Sequence, residues 1–166
     1  GPAFGMRSRR IDLDSELRKA LEAGNIDIVY QPIVRLEDNS IAGFEALTRW
    51  EHPLHGRIPP SEFIAAAEES GLIVQLGLYV LEHAARELAS WQSVLVSTPL
   101  PFVSINVSSR QLLRHDLIND VKAVLARTGV APETLKLEIT ESLVMQNPEY
   151  AAKVLARVRE LGAGLA

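Results

Sequence analysis

Glu45, Asn106 and Glu138 are the residues whose types could do chemistry together, because each is an oxygen donor set between apolar neighbours in a strand-like stretch. Side chains alternate across a strand. In Val103 to Ser108 the apolar face is Val103, Ile105 and Val107, and the other face is Ser104, Asn106 and Ser108. In Leu135 to Thr140 the faces are Leu135, Leu137 and Ile139 against Lys136, Glu138 and Thr140. Gly43, Glu45, Leu47 and Arg49 share one face of a further stretch, and Gln31 shares one with Val29 and Ile33. Strands buried on both sides read as continuous apolar runs; these instead carry a polar residue near the C-terminal half. In a barrel, inward residues at the C-terminal strand ends point into one cavity, where Glu45, Asn106 and Glu138 would converge. Two carboxylates and an amide are hard oxygen donors, suited to Mg²⁺ or Mn²⁺ rather than zinc. Buried carboxylates are costly without a partner, and a divalent ion can polarise a phosphoryl oxygen and lower the pKa of a bound water. The same alternation is also the ordinary pattern of a strand with one wet face, and the residues alone leave both readings open.

The elements that must position these residues follow from periodicity and punctuation. Ile11 to Ala23 predicts an amphipathic helix, with Leu13, Leu17 and Leu21 on one face and Gly24 as its stop; Arg9 and Arg10 form a basic lead-in. Ile26 to Leu36 and Ile41 to Trp50 predict two strands, and the short turn cluster Glu37-Asp38-Asn39-Ser40 makes them an antiparallel hairpin. His52 to Pro60 reads as a loop. Ser61 is placed to cap a helix ending near Ser70, and Leu72 to about Val94 is a long helix. Phe102 to Val107 is the third strand. Ser108 with Gln111 has capping-box spacing at the start of the next helix, with Asp116 a possible second cap and Gly129 its end. Thr134 to Thr140 is the fourth strand, and Asn147-Pro148 opens the last helix. Helices alternating with strands after a hairpin predict an α/β fold, a partial, modified TIM (β/α) barrel whose first strand is antiparallel and which holds about four of about eight strands.

Composition bounds the function classes. The 166 residues are 47% hydrophobic and 23% charged, as in a globular domain. A net charge of −4 argues against a broad basic face for a nucleic-acid polymer. The absence of cysteine excludes disulfides, thiolate metal sites and thiol nucleophiles and fits a reducing cytosol. No apolar run approaches the ~18 residues of a membrane span, so the expected setting is cytoplasmic, alone or as the cytoplasmic part of a larger membrane-associated protein. Residues 1–5 read as a cleavage and cloning scar, 6–24 as a linker and helix, and 25–166 as the domain proper.

Longer strings add a resemblance. Tyr30-Gln31-Pro32-Ile33-Val34, then Phe44-Glu45-Ala46-Leu47-Thr48-Arg49-Trp50, His52-Pro53, Gly56 and Pro60-Ser61-Glu62-Phe63-Ile64 occur in order, followed by Ser104-Ile105-Asn106-Val107-Ser108 and Leu137-Glu138-Ile139-Thr140-Glu141-Ser142. Together they resemble the EAL family of bacterial cyclic di-GMP phosphodiesterases over roughly residues 11–166. The resemblance implies metal-dependent hydrolysis of cyclic di-GMP to linear pGpG in second-messenger signalling, with Mg²⁺ or Mn²⁺ as cofactor, two ions in the complete domain. It implies Glu45, Asn106 and Glu138 as metal ligands, Gln31 on a guanine edge, Leu47 lining the nucleotide pocket, Arg49 on a phosphate, and Glu141 holding a nearby loop. Glu141 also fits an exposed acid at a helix start. None of the four histidines, His52, His55, His83 and His115, matches a catalytic role, and His83 and His115 are expected on helix surfaces.

The family pattern continues with two adjacent aspartates, a Gly-rich loop, a lysine, a glutamate and a glutamine. The sequence ends at Gly164-Leu165-Ala166, where the aspartate strand is expected to begin. The fragment is therefore expected to be inactive alone, and its open strand edges to drive homo-oligomerisation or pairing with a partner half. A sensory or GGDEF-like domain is expected upstream of the first helix. The alternatives are a catalytically silent EAL domain that acts as a cyclic di-GMP receptor and an oligomerising interaction fragment.

Overall fold

Asp38 and Asn39 turn the chain at the hairpin tip. Asp38 Oδ1 accepts bonds from the Ser40 backbone N–H at 3.0 Å and the Ser40 hydroxyl at 2.6 Å, and Asn39 adopts a left-handed φ of 59°. Short Asx side chains tolerate that conformation and bond their own backbone two residues on. The hairpin is part of a computed structural model that describes the backbone of residues 2–95, 99–114 and 116–165, and the side chains of 13–95, 99–113 and 116–165. The elements in order are α1 (Pro2–Ala23), β1 (Asp27–Val34), β2 (Ile41–His52), β3 (Gly56–Ile58), α2 (Pro60–Ser70), α3 (Ile73–Val94), β4 (Phe102–Val107), α4 (Ser109–Arg114), α5 (Leu117–Thr128), a 3₁₀ turn (Pro132–Thr134), β5 (Leu135–Ile139), α6 (Glu141–Gln146), α7 (Pro148–Leu161) and β6 (Gly164–Leu165).

The sheet runs β1-β2-β4-β5-β6, with β3 paired to β2 off that path. β1 is antiparallel to β2, and β2, β4, β5 and β6 are mutually parallel, joined by helical crossovers. This is the mixed α/β architecture the alternation predicts, with the first strand antiparallel. Ala46, Trp50, Val103, Ile105, Val107, Leu135 and Leu137 are buried, and α3 packs on β1, β2 and β4. Trp50 is 1% exposed and meets Phe63 of α2 edge-on, with ring centroids 5.8 Å apart. Trp91 of α3 closes against Tyr30 at 5.3 Å and Phe44 at 5.0 Å. Burial there, with Glu87 nearby, pushes the Tyr30 hydroxyl up to about 12.

Several local expectations differ from the fold. The stretch His52–Pro60 is not all loop, because Gly56–Ile58 pairs back on β2, with Trp50 opposite Ile58. Ser61 does not cap α2: proline at the first helical position already presets the backbone, and Pro59 precedes it. Gln111 forms no capping box. It is 3% exposed and lies against Gly77, where an added Cβ would stand 1.8 Å from its Nε2. The helix predicted from Ser108 divides into α4 and α5, and Asp116 caps the second part by accepting from the Asn119 N–H at 3.3 Å. The helix α6 was not predicted. His83 is half-buried rather than on the surface: its Nδ1 donates to the Tyr79 carbonyl at 2.8 Å and its ring stacks on Tyr79. His115 and the side chains of Arg9 and Arg10 lie outside the described residues.

Helix α1 starts well before Ile11 and docks through buried Leu13, Leu17 and Ala20 against α2 and α3. Buried His52 fixes it to the end of β2. Its Nδ1 accepts the Leu54 and His55 backbone N–H groups at 3.0 and 3.2 Å, which leaves Nε2–H to donate to Glu16 Oε2 at 2.9 Å. That bond holds the Glu16 carboxyl below its ordinary value of 4.5. A depressed folded-state pKa gives stability that is present above the unfolded value and lost as pH falls through the folded one. Glu16→Ala is therefore expected to lower the thermal midpoint at pH 7, with the gap to wild type closing as pH falls below 4.5. A gap that is constant across this range in parallel thermal melts contradicts the assigned bond.

Candidate active site

The inward face is defined by register. Gln31 lies opposite Glu45, Glu45 beside Ser104, Ser104 beside Lys136, and Asn106 beside Glu138. Paired residues of adjacent strands project to the same side, so Gln31, Glu45, Asn106 and Glu138 share one face, with Leu47 and Arg49 further along β2. Asn106 and Glu138 each stand one residue before the C-terminal end of their strand. Gly43 lets the strands close tightly beneath them: an added Cβ would be 2.5 Å from the Phe102 carbonyl oxygen and 2.6 Å from its ring. Lys136 sits over the Phe102 ring at 3.8 Å, a cation–π contact at the floor of the face.

Asn106 Nδ2 donates to Glu45 Oε1 at 3.0 Å across 61 positions of sequence. With Nδ2 committed to the carboxylate, the amide Oδ1 is the atom of Asn106 suited to a cation. Glu45 and Glu138 are each partly exposed, and Asn106 and Gln31 are exposed on the open side of the sheet. Among the described residues no group of three His, Cys, Asp or Glu side chains is placed to hold a metal, so the candidate set is two carboxylates and one amide. Oxygen donors of this kind fit Mg²⁺ or Mn²⁺. One further polar atom faces this side: Ser104 Oγ is fully buried without a hydrogen-bond partner.

A cavity of about 450 Å³ adjoins the strand ends, lined in part by Leu47, Arg49, Glu68, Asn106, Ser108 and Thr140. Arg49 folds so that Nη1 donates to the Thr48 carbonyl at 2.8 Å. It is the only arginine lining this cavity among the described residues. Glu141 is the exposed first residue of α6, preceded by Thr140. His52 and His83 hold structure elsewhere, as described above. Ser104 and Lys136 were visible in the sequence as members of polar faces, but nothing in spacing singled them out. Their place beside Glu45 depends on strand register.

The EAL-domain family model matches residues 14–166. The chain belongs to the EAL family. This EAL domain is 42% identical over 154 residues to the Mycobacterium tuberculosis protein Rv1357c, covering 93% of the chain and 50% of that protein. It is 36% identical over 157 residues to the bifunctional diguanylate cyclase/cyclic di-GMP phosphodiesterase MucR of Pseudomonas aeruginosa, covering 94% of the chain and 22% of MucR. The cyclic di-GMP complex of the PaMucR phosphodiesterase superposes with a TM-score of 0.86 at 36% identity, covering 93% of this chain and 62% of that one. The chain thus spans about half the length of its mycobacterial relative. Among the described residues no helix is long and apolar enough to cross a membrane.

Proposed function

We propose that this EAL domain hydrolyses one phosphodiester bond of cyclic di-GMP to give linear pGpG, with Mg²⁺ or Mn²⁺ as cofactor and two ions in the complete domain. The observation that carries the reading is the convergence of Glu45, Asn106 and Glu138 on one sheet face beside a cavity that holds Arg49. Glu45, Glu138 and the Asn106 Oδ1 would hold the ion. A bound divalent ion supplies positive charge to a phosphoryl oxygen and lowers the pKa of water. Arg49 turns from the Thr48 carbonyl to give a phosphate charge-assisted hydrogen bonds. Gln31 offers its amide to a guanine edge, Leu47 packs against the nucleotide, and Glu141 holds an adjoining loop. In the reaction a water oxygen bonds to phosphorus, the bond from phosphorus to a ribose 3′ oxygen breaks, and that oxygen takes up a proton. The cyclic di-GMP phosphodiesterase activity of MucR and the ligand of the PaMucR complex support the substrate.

Three protein donors would leave most positions of two ions to water and hold a second ion only weakly, so the 166-residue chain alone is expected to turn over little substrate. MucR's much greater length and second activity support a regulatory or GGDEF-like domain preceding α1, and the outer edge of β1, which ends the sheet order and carries exposed Val29 and Val34, supports a homo-oligomer. The test incubates the full-length protein with cyclic di-GMP and Mg²⁺ and follows pGpG by chromatography, with and without a chelator. Metal-dependent appearance of pGpG is expected. Tight binding of cyclic di-GMP with no turnover would replace the hydrolase with a receptor.

A further inference from the structure

Ser104 occupies a position that packing alone does not explain. Its residue is 0% exposed, and its Oγ lacks a hydrogen-bond partner. A buried hydroxyl left unpaired carries a desolvation cost, and an orphan of this kind in a native fold calls for a reason. Valine or alanine would fill a strand interior without that cost. The register supplies the reason. Ser104 stands between Glu45 on β2 and Lys136 on β5, two residues before Asn106 on the same face. A hydroxyl donates one hydrogen bond and accepts others, and its two neighbours are a carboxylate that accepts and an ammonium that donates. Asn106 already holds Oε1 of Glu45 from above, whereas Ser104 is directly alongside that residue in the next strand.

We propose that Ser104 is a positioning residue, whose Oγ–H donates to the Glu45 carboxylate when that carboxylate ligates a divalent cation. Asn106 and Ser104 then grip Glu45 from two sides, and the orientation of the ligating oxygen is set by β4 rather than by the rotamers of a long side chain. Partners of this sort restrict a ligating carboxylate, and their loss typically weakens metal binding by 10–100-fold. The inference rests on the reading of Glu45 as a metal ligand, and the test separates the two.

The experiment measures Mn²⁺ binding to the full-length protein by the loss of the free-ion paramagnetic resonance signal, for wild type, Ser104→Ala and Glu45→Gln, together with thermal unfolding without metal. Ser104→Ala is expected to weaken Mn²⁺ binding by at least about tenfold. Its metal-free midpoint should be unchanged or higher, because the substitution deletes an unpaired buried hydroxyl. Wild-type affinity in Ser104→Ala alongside impaired binding in Glu45→Gln overturns the role of Ser104 and leaves the ligand reading in place. Wild-type affinity in both variants overturns both. A lower metal-free midpoint in Ser104→Ala with proportionate loss of binding also overturns the proposal, since it would mark an ordinary structural residue.

Discussion

Glu45→Gln is expected to lower cyclic di-GMP hydrolysis by the full-length protein at least about a hundredfold, with little change in folding. Glutamine keeps the length of the side chain and an amide oxygen that can still accept the Asn106 Nδ2 bond seen at 3.0 Å. The substitution therefore removes one charge while leaving the cross-strand contact in place. A Lewis-acid ion is worth several kcal/mol of transition-state stabilisation, and each 1.36 kcal/mol is a factor of ten in rate. Weakening the ion's hold, and the charge it is set against, accordingly costs two or more orders of magnitude. The variant should need much more Mg²⁺ for its residual rate. Steady-state rates over a Mg²⁺ titration decide the matter: a variant within tenfold of wild type at every concentration would remove Glu45 from the metal site.

Trp50→Ala has the largest expected effect on stability, about 3–5 kcal/mol. Trp50 is 1% exposed at the far end of β2, lies edge-on to Phe63 and to His52, and pairs with Ile58 of β3. Truncation forfeits the transfer energy of a large ring and leaves a cavity that α2, β2 and β3 cannot all collapse into. In a chain of this size each kcal/mol moves the thermal midpoint by about 2–4 °C, so a drop of roughly 6–20 °C should follow. Urea unfolding followed by circular dichroism gives the free energy directly. A loss below about 1 kcal/mol would show that the junction of α2 with β2 is not the tightly packed unit described above. Because Trp50 immediately follows Arg49, looser packing should also weaken substrate binding more than it slows turnover at saturation.

Much of the fold was legible because local rules and tertiary demands agree. The turn at Asp38-Asn39, the caps at Asp116 and Asn147, and the left-handed stops at Gly24 and Gly129 lie where residue types require them. The reading failed where a distant partner outbid a local preference. Gln111 has the spacing of a capping residue, but burial against Gly77 of α3 takes its side chain away from the helix start. Gly56–Ile58 holds too few residues to show a period, and only the presence of β2 alongside makes it a strand. His83 has the sequence surroundings of an exposed helical residue, but its ring stacks on Tyr79 one turn earlier, and Tyr79 is itself anchored by its hydroxyl to the distant Ile26 carbonyl at 2.6 Å.

The same division runs through the site. By itself the sequence determined which side of each strand is polar, because alternation is a property of the strand backbone, and it determined the family through strings whose order spans most of the chain. It also named the oxygen donors, since donor chemistry is carried by residue type. Tertiary structure alone decided the pairing. Placing Glu45 beside Ser104, and Asn106 beside Glu138, depends on how far each parallel strand slides along its neighbour. That slide depends on contacts among residues dozens of positions apart, α2 and α3 packing on the strands among them, and it leaves no local pattern to be read.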